Sequence, residues 1–118
     1  MNTIFFTLLM TFAVACNSQN CKQLPASFKS YNDAISKVTN SNFNYTDIAN
    51  TSHSSWITSA SFYSCDGENG YFIYSTNRDY TYIHKGVPLS IWKAFKTSPS
   101  MGSYYDRNIK GKYRLPLQ

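Results

Sequence analysis

Between Trp56 and His84 the chain alternates side chains in three short runs, and the connections between them are rich in turn-forming residues. In the first run Trp56, Thr58, Ala60 and Phe62 fall on one side, and Ile57, Ser59, Ser61 and Tyr63 on the other. A period of two puts successive side chains on opposite faces, as a half-buried strand requires. Asp66-Gly67 and Asn69-Gly70 supply residues that tolerate left-handed backbone, so 65–70 reads as a hairpin connection. A second strand over 71–76, a turn at Asn77-Arg78-Asp79 and a third strand over 80–84 complete a three-stranded antiparallel meander. Three strands are the smallest sheet expected to hold its shape against a helix. With aromatic residues at 17% and charged ones at 14% of 118 residues, the composition suits strands better than long solvated helices. The length excludes a multidomain enzyme, a doubly wound nucleotide-binding sheet and a polytopic membrane protein.

Helices are expected on both sides of the meander. Upstream, 27–39 carries Phe28, Tyr31, Ala34, Ile35 and Val38 at spacings of three and four, with Ser30 and Asp33 as an acidic variant of a capping box. Phe43-Asn44-Tyr45 alternates briefly, as a short strand would. Downstream, Pro88 suits the first position of a helix in which Leu89, Ile91, Trp92 and Phe95 share one arc. Ser98-Pro99 starts another, with Met101, Tyr105 and Ile109 on one side and Ser103, Arg107 and Lys110 on the other. Gly102 within it points to a close helix contact, because glycine costs about 1 kcal/mol relative to alanine there. Gly111 is a candidate C-cap. The fold class is therefore α+β: an N-terminal helix, a three-stranded antiparallel meander, and two short C-terminal helices packed on one sheet face.

The N-terminus reads as a leader. Residues 4–15 are apolar apart from Thr7 and Thr11, too short to span a bilayer as a helix but right for the apolar region of a secretory signal. Ala13-Val14-Ala15 offers small residues for cleavage, and Ala-Val-Ala-Cys resembles the lipobox of bacterial lipoproteins, with Cys16 lipidated. No Lys or Arg precedes the run, and Ala13 stands where a lipobox favours Leu. Ordinary cleavage before Cys16 and a buried N-terminal strand or helix are the alternatives. Once Cys16 is acylated, Cys21 and Cys65 remain as an even pair in an oxidising compartment; they read as a disulfide, the alternative being two separate thiols. The organisation expected is signal peptide 1–15, tether 16–26, N-terminal helical extension 27–53 and a C-terminal domain 54–118. The location that follows is the bacterial cell envelope, through a lipid anchor at Cys16, or the periplasm or exterior without one.

The stretch from Ser54 to Tyr113 resembles the KTSC domain, named for the C-terminus of some lysyl-tRNA synthetases and found alone in many bacterial proteins. The resemblance rests on Ser54-Ser55-Trp56-Ile57, the central Tyr80 and Tyr82, Gly86-Val87-Pro88 and Ser100-Met101-Gly102-Ser103-Tyr104-Tyr105. Asn108-Ile109-Lys110-Gly111-Lys112-Tyr113 closes it. The family has no established activity, and the resemblance implies RNA binding only in the sense proposed for it.

Catalytic chemistry has little to stand on. His53 and His84 are the only histidines and have no second ligand at metal-binding spacing; no nucleophile elbow or phosphate loop occurs. No catalytic residue, metal or cofactor is assigned. Charge says more. From Lys85 onward seven basic residues face one acid, a net +6, whereas the rest of the chain is at −1. Lys93, Arg107, Lys110, Lys112 and Arg114 are the candidate contacts for a polyanion: lipopolysaccharide, anionic lipid, acidic glycan or nucleic acid. Tyr80 and Tyr82 are candidate stacking surfaces. The expected function is a non-enzymatic envelope binding module; an RNA-binding domain is the alternative and a small hydrolase a third.

Overall fold

The computed structural model describes residues 19–118; the apolar run, the cleavage motif and Cys16 lie outside them. The described chain contains β1 (Gln19–Asn20), α1 (Tyr31–Thr39), β2 (Ser41–Asn42), β3 (Tyr45–Ile48), β4 (Ile57–Ser64), β5 (Asn69–Thr76), β6 (Thr81–Pro88), α2 (Leu89–Lys96) and α3 (Met101–Asn108). β3, β4, β5 and β6 form one antiparallel sheet in chain order. The meander therefore has four strands, not three. The short strand expected at 43–45 forms two residues later as β3, overlapping at Tyr45; its pairing with β4, Tyr45 opposite Ser64, is not legible in the sequence because the two are joined across a polar connection. A second, two-stranded parallel sheet joins β1 to β2. Among the described residues no helix is long and apolar enough to cross a membrane.

Two corrections concern the alternating runs. The clean two-sided split of β4 fails at its start, because the register shifts between Ile57 and Ser59. That irregularity turns Ile57 into the same core as Ala60 and Phe62. The third strand runs four residues further than expected, to Pro88, through a second irregularity opposite Gly70 and Phe72 where Gly86 adopts φ 77°. Pro88 is consequently the N-cap of α2 rather than its first residue.

β5 explains the three-layer packing. Tyr71, Phe72, Ile73 and Tyr74 are all buried, as an inner strand covered on both faces requires. Phe72 and Tyr74 meet Trp92, Phe95, Met101 and Tyr105 of α2 and α3. Tyr71 and Ile73 meet Phe28, Ala34 and Val38 from the other side, with Leu115. The two C-terminal helices thus share one face, as expected, and α1 covers the opposite one. Ser30 caps α1 by accepting from the Asp33 amide at 3.0 Å.

The segment 16–26 is no tether from Gln19 onward. Asn20 caps a 3-10 turn at Cys21–Gln23, and Cys21 is bonded to Cys65 with 5.9 Å between the Cα atoms. Nor is 27–53 a separate extension: it supplies α1 and β3, so both cores draw on it. Gly102 does make a close contact, but with a side chain rather than a helix: a Cβ there would collide with the Trp56 indole.

Candidate functional site

α3 ends at Asn108, two residues earlier than the periodicity suggested. Ile109 and Lys110 both donate their amides to the Tyr105 carbonyl at 3.0 Å, and Gly111 then takes φ 77°, which reverses the chain. Lys110 therefore leaves from this turn, not from the helix face bearing Arg107. The tail that follows carries Lys112, Tyr113 and Arg114 back beside β6. His84 fastens it: its Nδ1 lies 3.0 Å from the Tyr113 carbonyl and its Nε2 2.9 Å from the Tyr105 hydroxyl. A carbonyl only accepts, so Nδ1 carries the proton and Nε2 accepts from Tyr105. Burial pushes the His84 pKa below its ordinary value, against the opposing pull of the Tyr113 carbonyl.

This arrangement brings part of the basic set to the aromatic one. Tyr74 stacks between Tyr82 (5.2 Å, 28°) and His84 (6.1 Å, 3°). Tyr80, at 59% exposure, leans on Tyr82, at 44%. Two hollows share Tyr82 and Tyr105 as a common wall. One, of about 320 Å³, adds Trp56, Tyr74, Asp106 and Lys110. The other, of about 310 Å³, adds Tyr31, Ile83, His84, Arg114 and Leu115. Lys110 and Arg114 thus stand on either side of Tyr82, with the Asp106 carboxylate in the first hollow. Lys93, Arg107 and Lys112 are exposed and line neither hollow.

The remaining basic residues of this region have structural duties that the sequence hid. Lys85 donates to the Ala26 carbonyl at 3.0 Å. Lys96 pairs with Asp47 at 2.7 Å, and Asp47 also accepts from Trp92 Nε1 at 2.8 Å. Forty-odd residues separate these partners, so no local motif announces them. Burial raises the Asp47 pKa, but the hydrogen bonds from Lys96, Trp92 and the Ile48 amide outweigh it and leave the group below its usual value. Among the described residues no three metal-ligating side chains cluster.

Residues 76–113 match the KTSC domain. The match begins at the β5–β6 turn and covers β6, α2, α3 and the Gly111 turn, which together carry most of both hollows. The Ser54–Ile57 part of the resemblance falls before it. The KTSC portion is about a third of the chain, and the helix and strands before it complete the sheet on which it rests. No curated protein and no solved structure matches the chain.

Proposed function

We propose that the protein is a non-enzymatic binding module of the cell envelope whose C-terminal surface holds a polyanion electrostatically. One observation carries the reading. Lys93, Arg107, Lys110, Lys112 and Arg114 are all exposed, and none is in a salt bridge among the described residues. Unpaired surface cations on a small fold attract phosphate- or carboxylate-rich polymers and release counterions on binding. The Cys21–Cys65 bond supports an exported location, since such bonds persist in oxidising compartments. His84 supports a structural rather than a catalytic role, because both ring nitrogens are engaged.

RNA is the second reading, favoured by the exposed Tyr82, which shares a hollow with Lys110, and by the exposed Tyr80 leaning on it. Both readings are tested by titrating the purified protein against lipopolysaccharide, anionic vesicles and single-stranded RNA at two salt concentrations. Binding that falls steeply with salt is expected. Arg107→Glu with Lys110→Glu should weaken it and flatten the salt slope by about 2 while leaving the melting temperature nearly unchanged, since exposed charges contribute little to stability. A preference for RNA that is lost with Tyr80→Ala and Tyr82→Ala would select the second reading. If the charge reversal binds as well as wild type, the basic surface is only a solvated one.

A further inference from the structure

Among the described residues β6 is an edge strand, with β5 on one side and no strand on the other. Its feeding hairpin decides which backbone groups face outward. Thr76 donates its amide to the Tyr80 carbonyl at 2.9 Å, and Asp79 donates to the Thr76 carbonyl at 3.0 Å, so residues 76 and 80 close the turn as a hydrogen-bonded pair. Asp79, at φ 64°, is the left-handed residue such a three-residue loop requires. Bonded and non-bonded pairs alternate along an antiparallel ladder. Tyr74 opposite Tyr82 and Phe72 opposite His84 therefore exchange hydrogen bonds, whereas Thr81 opposite Ser75 and Ile83 opposite Ile73 do not. The N–H and C=O groups of Thr81 and Ile83 point away from the sheet, and none has a partner among the described residues.

Those groups run along the hollow of about 310 Å³. The hollow is mostly apolar, with Tyr31 of α1 on one side, Tyr82 and Tyr105 on the other, and Leu115 in its wall. Its cation is Arg114, which has neither an ion pair nor a side-chain hydrogen bond among the described residues. Open edges are ordinarily protected by charge, proline or a bulge. Here Lys85 and the kink at Gly86 protect the far end and the tail fastened by His84 runs beside the strand, yet the backbone groups of Thr81 and Ile83 stay unpaired among the described residues.

We propose that this edge takes an extended peptide bearing a carboxylate, which adds to β6 as a fifth strand. Two outward residues in a strand repeat at roughly 7 Å, the spacing at which a second strand presents alternating donors and acceptors. A phosphodiester or glycan chain offers no such row of amides, so the occupant is a peptide. Main-chain bonds to Thr81 and Ile83 hold it, an apolar side chain enters between Tyr31 and Tyr82, and its carboxylate meets Arg114. This is strand addition, with affinity from the backbone and selectivity from the pocket. The site shares Arg114 with the polyanion reading but uses none of its other cations, Lys93, Arg107, Lys110 and Lys112.

The test uses the full chain and fluorescein-labelled octapeptides that alternate valine or tyrosine with threonine and end in a free carboxylate. Hydrogen exchange should find the Thr81 and Ile83 amides fast in the free protein and slowed tenfold or more by the best-binding peptide. N-methylating alternate peptide amides, amidating the peptide C-terminus, or Arg114→Ala should each weaken binding at least tenfold. Arg107→Glu with Lys110→Glu should leave it unchanged, so failure here and failure of the polyanion reading are separable. The proposal is overturned if no peptide of the set slows the two amides, if the N-methylated peptide binds as tightly as its parent, or if the amides are already protected in the free protein by a second copy of the chain.

Discussion

Asp47 is one of only six acidic residues in the chain, and removing it should cost more than an exposed carboxylate would. Its Oδ2 accepts from Trp92 Nε1 at 2.8 Å and from Lys96 Nζ at 2.7 Å, while Oδ1 accepts from the Ile48 amide at 3.0 Å. Trp92 is fully buried, stacked on Phe62 at 5.4 Å and edge-on to Phe72 at 5.5 Å. In Asp47→Ala its indole N–H keeps its place but loses its acceptor, which costs about 1–3 kcal/mol. The Lys96 pair is partly exposed and adds about 0.2–1 kcal/mol. Taken together, Asp47→Ala should lower unfolding free energy by about 2–3 kcal/mol, and Lys96→Met alone by no more than about 1 kcal/mol. The assay is urea unfolding followed by far-ultraviolet circular dichroism, with Trp92→Phe completing a double-mutant cycle. Phenylalanine keeps most of the ring but has no N–H, so the Asp47 substitution should cost clearly less in that background. The pH dependence has a fixed sign. Because the Asp47 pKa lies below its ordinary value of 3.8, its contribution is present above that value and is lost as pH falls through the folded-state pKa. Additive effects of Asp47→Ala and Trp92→Phe would refute the reasoning.

Cys21→Ser with Cys65→Ser opens a link between residues 44 apart, for which the chain-entropy relation gives about 4 kcal/mol; the melting temperature should fall to that of the reduced wild type, and a midpoint insensitive to reductant would contradict it. His84, with its pKa depressed chiefly by burial, contributes stability that is complete above about pH 6.5 and declines as pH falls through the lower folded value. Urea midpoints between neutral and mildly acidic pH should show that decline in wild type and lack it in His84→Asn; identical profiles would exclude His84 as its source. Gly102→Ala should be destabilising by about 1–2 kcal/mol although alanine favours helices, because the new methyl meets an indole held edge-on by Tyr74 and Tyr105. A rise in melting temperature would show that Trp56 moves aside freely.

What the sequence revealed and what it hid divide by the range of the interactions. The β4–β5–β6 hairpins were legible because each rests on a few adjacent residues, such as Asp66-Gly67 or Asn77-Arg78-Asp79, whose backbone preferences act locally. The helices α1, α2 and α3 showed through their spacing for the same reason. β3 showed only as the brief alternation at 43–45, two residues early, since four residues with one exposed face acquire their full strand character by pairing with β4. The slip at Ile57 is equally silent: nothing in Ile57-Thr58-Ser59 distinguishes a regular strand from one that shifts register. Of the candidate site, Tyr80, Tyr82 and the basic residues were visible as types. Their division was not, because it depends on where α3 stops and how Gly111 turns the tail past β6. Asp47 looked like an isolated acid until β3 brought it under Trp92. Tyr31 looked like part of the buried stripe of its helix, yet it is exposed and lines the hollow at the sheet edge.

The parallel bridge between Phe28 and Leu117 has a consequence for the order of events when the protein is made. Phe28 donates its amide to Pro116 and accepts from Gln118, and the Gln118 side chain reaches the Ser27 carbonyl across 91 residues of sequence. Leu115, three positions before that side chain, closes the core over α1. A chain emerging from the ribosome can form the hairpins early, but the layer under α1 must wait until Leu115 and Leu117 are free. Until then Phe28, Tyr71 and Ile73 lack part of their cover. Contacts this distant in sequence also form slowly once they are permitted. Residues 115–118 thus decide when the first described ones settle.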